Sequence, residues 1–129
     1  MTDRLDRELD LIRGKHGEII VAADRSWVQL PDCPLVPGWN QPSTAVLVEV
    51  PPAYPTTPPD NFYTVADLRL ADGQLPGNTT GVRVFDGAPW LQFSYHVETT
   101  DWRPHADPAL SENLVTYFDG ALQRLREPN

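Results

Sequence analysis

With 129 residues the chain has the length of one domain, 1–129, and its 40% hydrophobic content predicts a real core, while 14 prolines predict much irregular backbone. A formal charge of −8, with Lys15 the one lysine, excludes a nucleic-acid backbone or an anionic membrane as the main partner, because phosphate binding takes clustered Lys and Arg. One cysteine excludes an internal disulfide, no apolar run reaches the roughly 18 residues of a membrane span, and Met1 to Arg7 is too charged for a secretion signal, so a cytoplasmic protein is expected.

Thr2 to Arg13 reads as an amphipathic helix, with Leu5, Leu9 and Ile12 on one stripe, Thr2 as cap, and Gly14 and Gly17 ending it. The pattern then turns to β. Ile19 to Ala22, a turn near Asp24-Arg25, and Ser26 to Leu30 predict a hairpin. Pro31 to Pro42 reads as loop, closed by Gly38-Trp39-Asn40. Val46, Val48 and Val50 alternate with Leu47 and Glu49, which predicts a strand antiparallel to Ser26–Leu30. It stops at Pro51, because Pro51, Pro52, Pro55, Pro58 and Pro59 donate no N–H and fix their own φ. A stiff, extended connector follows, with Tyr54 in its middle, and then a short apolar run ending at Val65. A proline-rich linker, or a ligand of a proline-binding module, would be polar and flexible, whereas this segment is clamped between two apolar strands.

Ala66 to Pro104 is the least regular part, with turn signals at Asp72-Gly73, Pro76-Gly77-Asn78 and Asp86-Gly87, and a connection of that length is expected to be functional. Within it lies Trp90 to Val97, followed by Asp101 to Pro104. The last helix is placed at Pro108 to Arg126, with Asp107 as cap and an apolar stripe of Leu110, Leu114, Phe118, Leu122 and Leu125 flanked by Tyr117 and Ala121. The fold class is therefore α+β: an N-terminal helix, a four-stranded antiparallel meander, an irregular active-site-like segment and a long C-terminal helix.

Pro51, Tyr54, Pro55, Pro58 and Pro59 between two strands, with Trp102 and Pro104 ahead of a long helix, resemble the ubiquitin-conjugating-enzyme superfamily. Leu30-Pro31, Pro37 to Asn40, Pro59-Asp60, Phe62, Phe93 to His96, and Trp102 to Pro104 followed by Asp107 resemble one branch of it, prokaryotic family E. The resemblance implies a conjugating-type component of a bacterial ubiquitin-like system. Its partners would be a ubiquitin-like protein, an adenylating activating enzyme and a metal-dependent deconjugating peptidase. It also implies that the active-site segment follows strand four.

The chain departs from that superfamily where the chemistry lies. A conjugating enzyme holds its partner as a thioester on a cysteine, since a thioester stays reactive toward amines. Residues 66–105 contain no cysteine and no His-Pro-Asn tripeptide, and offer Ser94, Tyr95 and His96 instead. Cys33 sits in the earlier loop, as an incidental thiol or as a relocated nucleophile that would need a base and a cleft. His96 reads as a hydrogen-bonded structural histidine, or as a base for Ser94 with Asp101 as third member. A metal group of His96, His105, Asp101 and Asp107 matches no ligand spacing, so neither metal nor cofactor is expected. Trp90, Phe93, Tyr95 and Trp102 are expected to pack against the sheet and the last helix. These readings favour a non-catalytic variant that binds the ubiquitin-like protein or scaffolds its partners. The alternatives are acyl transfer through Ser94 or His96, and an acidic interaction domain unrelated to ubiquitin.

Overall fold

A computed structural model describes residues 4–96, 102 and 113–128. The first helix, α1, spans Arg4–His16 and buries Leu9 and Ile12 together with Glu8. Gly14 does not end it. The stop is Gly17, whose φ of +84° is the left-handed conformation a helix C-terminus favours and whose N–H bonds the Arg13 carbonyl at 2.8 Å. The expected Thr2 cap lies outside the described residues.

Strand β1 (Ile20–Val21) pairs with β2 (Trp27–Pro34) across a turn in which Arg25 takes φ 63° and Asp24 accepts from the Ser26 N–H at 3.0 Å. β2 pairs with β3 (Ser43–Glu49) in the expected antiparallel sense, with Val28 opposite Val48 and Leu30 opposite Val46. It runs on through Pro34, where a loop was expected. The register shifts between Leu30 and Cys33, and such a bulge tolerates prolines that a regular ladder would reject. Pro51 to Pro59 contains no helix and no strand, but it is folded into turns rather than extended. Tyr54 N–H bonds the Pro51 carbonyl at 3.0 Å, Thr57 N–H bonds the Ala53 carbonyl at 3.1 Å, and the Tyr54–Pro55 peptide is cis.

The four-stranded meander is part of a larger sheet. β4 (Phe62–Val65) pairs with β3, and the segment expected to be irregular contributes β5 (Thr79–Phe85) and β6 (Ala88–Phe93). Among the described residues six antiparallel strands stand in the order β1-β2-β3-β4-β6-β5. Asp86 (φ 48°) and Gly87 (φ 82°) make the two-residue tip between β5 and β6, the twist-matched turn that Asp-Gly favours.

The last helix, α2, spans Leu114–Leu125, later than Pro108. Its N-cap is Asn113, whose side chain accepts from the Val115 and Thr116 N–H groups at 2.7 and 3.2 Å while Thr116 Oγ1 accepts from the Asn113 N–H at 3.0 Å. The expected cap at Asp107 lies outside the described residues. Leu114, Tyr117, Phe118, Ala121 and Leu125 form its buried stripe and meet Leu9 and Ile12 of α1 with Val28, Leu30, Val46, Phe62, Leu91 and Phe93 of the sheet. Trp90 belongs to the opposite face of the sheet, with Leu47 and Tyr63, and not under the last helix as expected. Trp39 donates its indole N–H to the Leu125 carbonyl at 2.8 Å, which docks the Pro37–Asn40 loop onto the end of α2. Among the described residues no helix is long and apolar enough to cross a membrane.

Candidate functional site

The pairing of Phe62 with Phe93 places the residues just before β4 beside those just after β6. The ladder continues one step beyond the strands. Asn61 N–H bonds the Tyr95 carbonyl at 2.8 Å, and the Asn61 side chain accepts from the Tyr95 N–H at 3.4 Å. Asn61 holds φ 61°, a left-handed conformation that asparagine tolerates better than most residues. Asp60 is thereby brought to His96, 36 residues away in sequence.

Ser94 and His96 are two residues apart just past the end of β6, and their side chains meet. Ser94 Oγ lies 3.0 Å from His96 Nε2, and His96 Nδ1 bonds Asp60 Oδ1. With Nδ1–H donating to Asp60, Nε2 is left to accept the serine proton. The Ser94 N–H is held by the Asn78 carbonyl at 2.7 Å. The His96 and Asp60 side chains are 59% and 69% exposed, so the group stands at the surface.

Beneath it the packing is aromatic. Phe62 and Phe93 stack with centroids 4.8 Å apart, and Tyr95 meets Phe62 and Tyr117 edge-on. The Tyr117 hydroxyl donates to the carbonyls of both Asn61 and Tyr95, each at 2.9 Å, so one buried phenol ties the two backbones that carry Asp60 and His96. Burial, then the nearby Asp60, pushes that phenol well above its ordinary range.

The proline turn forms the neighbouring structure. Pro58 and Pro59 are buried, Trp102 donates its indole N–H to the Pro55 carbonyl at 2.7 Å, and the Tyr54 and Trp102 rings lie 6.2 Å apart. The Tyr54 hydroxyl donates to Glu8, a fully buried carboxyl that also takes the Leu114 N–H at 2.7 Å and Arg4 Nε at 2.8 Å. Burial first, and the bond to Glu8 second, raise the Tyr54 phenol above its ordinary range. Pro104 lies outside the described residues.

Cys33 is elsewhere, on β2, three places from β6 in the sheet order. It borders a cavity of about 570 Å³ lined also by His16, Lys15 and Leu122. The thiol is only 6% exposed, and burial with the Asp32 charge pushes its pKa up to about 11. Its nearest polar partner is the Leu30 carbonyl at 4.0 Å.

Of the residues expected from sequence, Ser94 and His96 come together, Tyr54, Pro55 and Trp102 come together at the proline turn, and Asp101, His105 and Asp107 lie outside the described residues. Asp60 was named from sequence only within the Pro59-Asp60 pair, and its contact with His96 was not foreseen. Among the described residues no group of three or more His, Cys, Asp or Glu could hold a metal ion.

A family model described as prokaryotic E2 family E matches residues 5–124. No curated protein and no solved structure matches the chain.

Proposed function

This chain belongs to prokaryotic E2 family E, and we propose that it serves its ubiquitin-like conjugation system by binding the ubiquitin-like protein without ever holding it as a thioester. The observation that carries this reading is the thiol. Cys33, the one cysteine, is buried with its pKa raised to about 11, so the thiolate that would form the thioester is scarce near neutrality. In the segment where the superfamily keeps its nucleophile stand Ser94 and His96.

The binding face is Asp60, Ser94 and His96 with the Tyr54–Trp102 turn beside it, set on a sheet and helix that hold it in place. The activating enzyme and the deconjugating peptidase of the same system are its further partners, and the cytoplasm its compartment. The experiment is an amide-shift titration of the ¹⁵N-labelled chain with the ubiquitin-like protein of its own system. Shifts gathered at Asn61, Ser94, Tyr95 and Trp102 are expected. Shifts confined to β1 and α1, or none at saturating partner, would overturn the reading.

A further inference from the structure

Asp60, His96 and Ser94 are joined in the order carboxylate, imidazole, hydroxyl, and the two links use different ring nitrogens. A histidine that merely pins a loop needs one bond. Here both nitrogens are engaged, and the hydroxyl end points to solvent-accessible surface, since Ser94 is only partly buried and His96 is exposed. Among the described residues the serine hydroxyl bonds His96 alone, while its backbone amide fixes the segment through Asn78. The arrangement is the one in which an imidazole draws a proton from a hydroxyl while a carboxylate holds the ring in the required tautomer.

We propose that the chain hydrolyses thioesters, with Ser94 as nucleophile, His96 as general base and Asp60 as positioning residue. The natural substrate, a ubiquitin-like C-terminus carried on another protein's cysteine, rests on the reading above; the chemistry does not. Ser94 Oγ attacks the thioester carbonyl carbon and its proton passes to His96 Nε2. The C–S bond breaks, the sulfur leaves as a thiol with that proton, and the acyl group remains on Ser94 as an oxyester. Water then attacks the same carbon, gives its proton to Nε2, and the C–Oγ bond breaks as the proton returns to the serine. The sum is thioester plus water to carboxylic acid plus thiol, with no oxidant or reductant.

Water is the acceptor because an oxyester is far less reactive toward amines than a thioester and the site is open to solvent. The Ser94 amide, a donor that a hydrolytic serine often turns on the oxyanion, is committed to Asn78. The acceleration is therefore that of general-base catalysis alone, about 10²–10⁴-fold.

The test uses the full chain carrying Cys33→Ser and the small thioester phenyl thioacetate, with released thiophenol followed optically and acylation followed by intact mass. Thiol release at least about 100-fold above buffer is expected, with an acetyl group on Ser94 and a return to background in Ser94→Ala and His96→Gln. Asp60→Asn lowers kcat about tenfold or more at unchanged KM, and Asp60→Glu restores part of it, which a structural role would not do. All three side chains are at the surface, so far-UV circular dichroism should be unchanged. Release equal to buffer, or release that survives Ser94→Ala, overturns the proposal. A chain that cleaves phenyl thioacetate but leaves the amide-shift titration flat would retain the chemistry and lose the ubiquitin-like partner; the converse result would do the opposite.

Discussion

The Tyr95 hydroxyl lies over Gly120 of α2, so close that a Cβ built on the glycine would fall 1.9 Å from the oxygen and 2.8 Å from the ring carbon that bears it. A mid-helix glycine costs roughly 1 kcal/mol relative to alanine, so the helix gives up propensity to let Tyr95 in. Gly120→Ala should therefore destabilise by about 1–3 kcal/mol although alanine is the better helix former. It should also shift the Ser94 and His96 resonances, because Tyr95 lies between them. Urea denaturation and an amide spectrum check both, and a variant more stable than the parent would show that the contact does not govern this position.

Glu8 joins three elements: Arg4 on its own helix, Tyr54 in the proline turn and the Leu114 N–H that opens α2. Removing a fully buried, multiply bonded carboxyl leaves its partners unpaired, and Glu8→Ala should cost about 3–5 kcal/mol. Glu8→Gln keeps the shape and the two bonds to Oε1, so it should cost less than the alanine variant. Equal, small losses in both, read from urea midpoints, would mean that the clamp contributes little.

His16 sits at the end of α1 with Nε2 buried and without a hydrogen-bond partner, 3.8 Å from Asp119 Oδ1. Burial lowers its pKa below 6.5, Asp119 opposes the shift and Lys15 adds to it. The unfolded chain then binds this proton at a higher pH than the folded one. The stability this neutral ring supports is complete above 6.5 and is lost as pH falls from there through the folded pKa. His16→Gln should flatten that decline, measured as urea midpoints between about pH 5 and 7.5. A decline as steep in the variant would assign it to other groups.

Much of this was legible in the residues, and the exceptions have physical causes. The alternation of Val46, Val48 and Val50 located β3 and its partner strand, because one face of that strand is buried against the helices. The β5–β6 hairpin was read only as a turn at Asp86-Gly87, although that turn lies between Val82-Arg-Val-Phe85 and Trp90-Leu-Gln-Phe93. Pro89 pairs with Val84, one step past the pair flanking the turn, where ladder alternation turns its nitrogen away from β5 and the missing N–H costs nothing. Asp107-Pro108 was the one start read from the sequence for the last helix, and the described cap is Asn113, beside a Leu114 N–H that Glu8 satisfies from another element. Ser94 and His96 were readable because they are neighbours. Asp60 was not, since only the Phe62–Phe93 pairing brings it to the imidazole.

The central claim is that the ubiquitin-like partner is handled without a thioester. The direct measurement is the intact mass of the chain after incubation with its activating enzyme, ATP and the ubiquitin-like protein, with and without thiol reductant. The account predicts no adduct that reductant removes, in the parent and in Cys33→Ser alike. A reductant-sensitive adduct in the parent that disappears in Cys33→Ser would contradict it, and would place the nucleophile on β2.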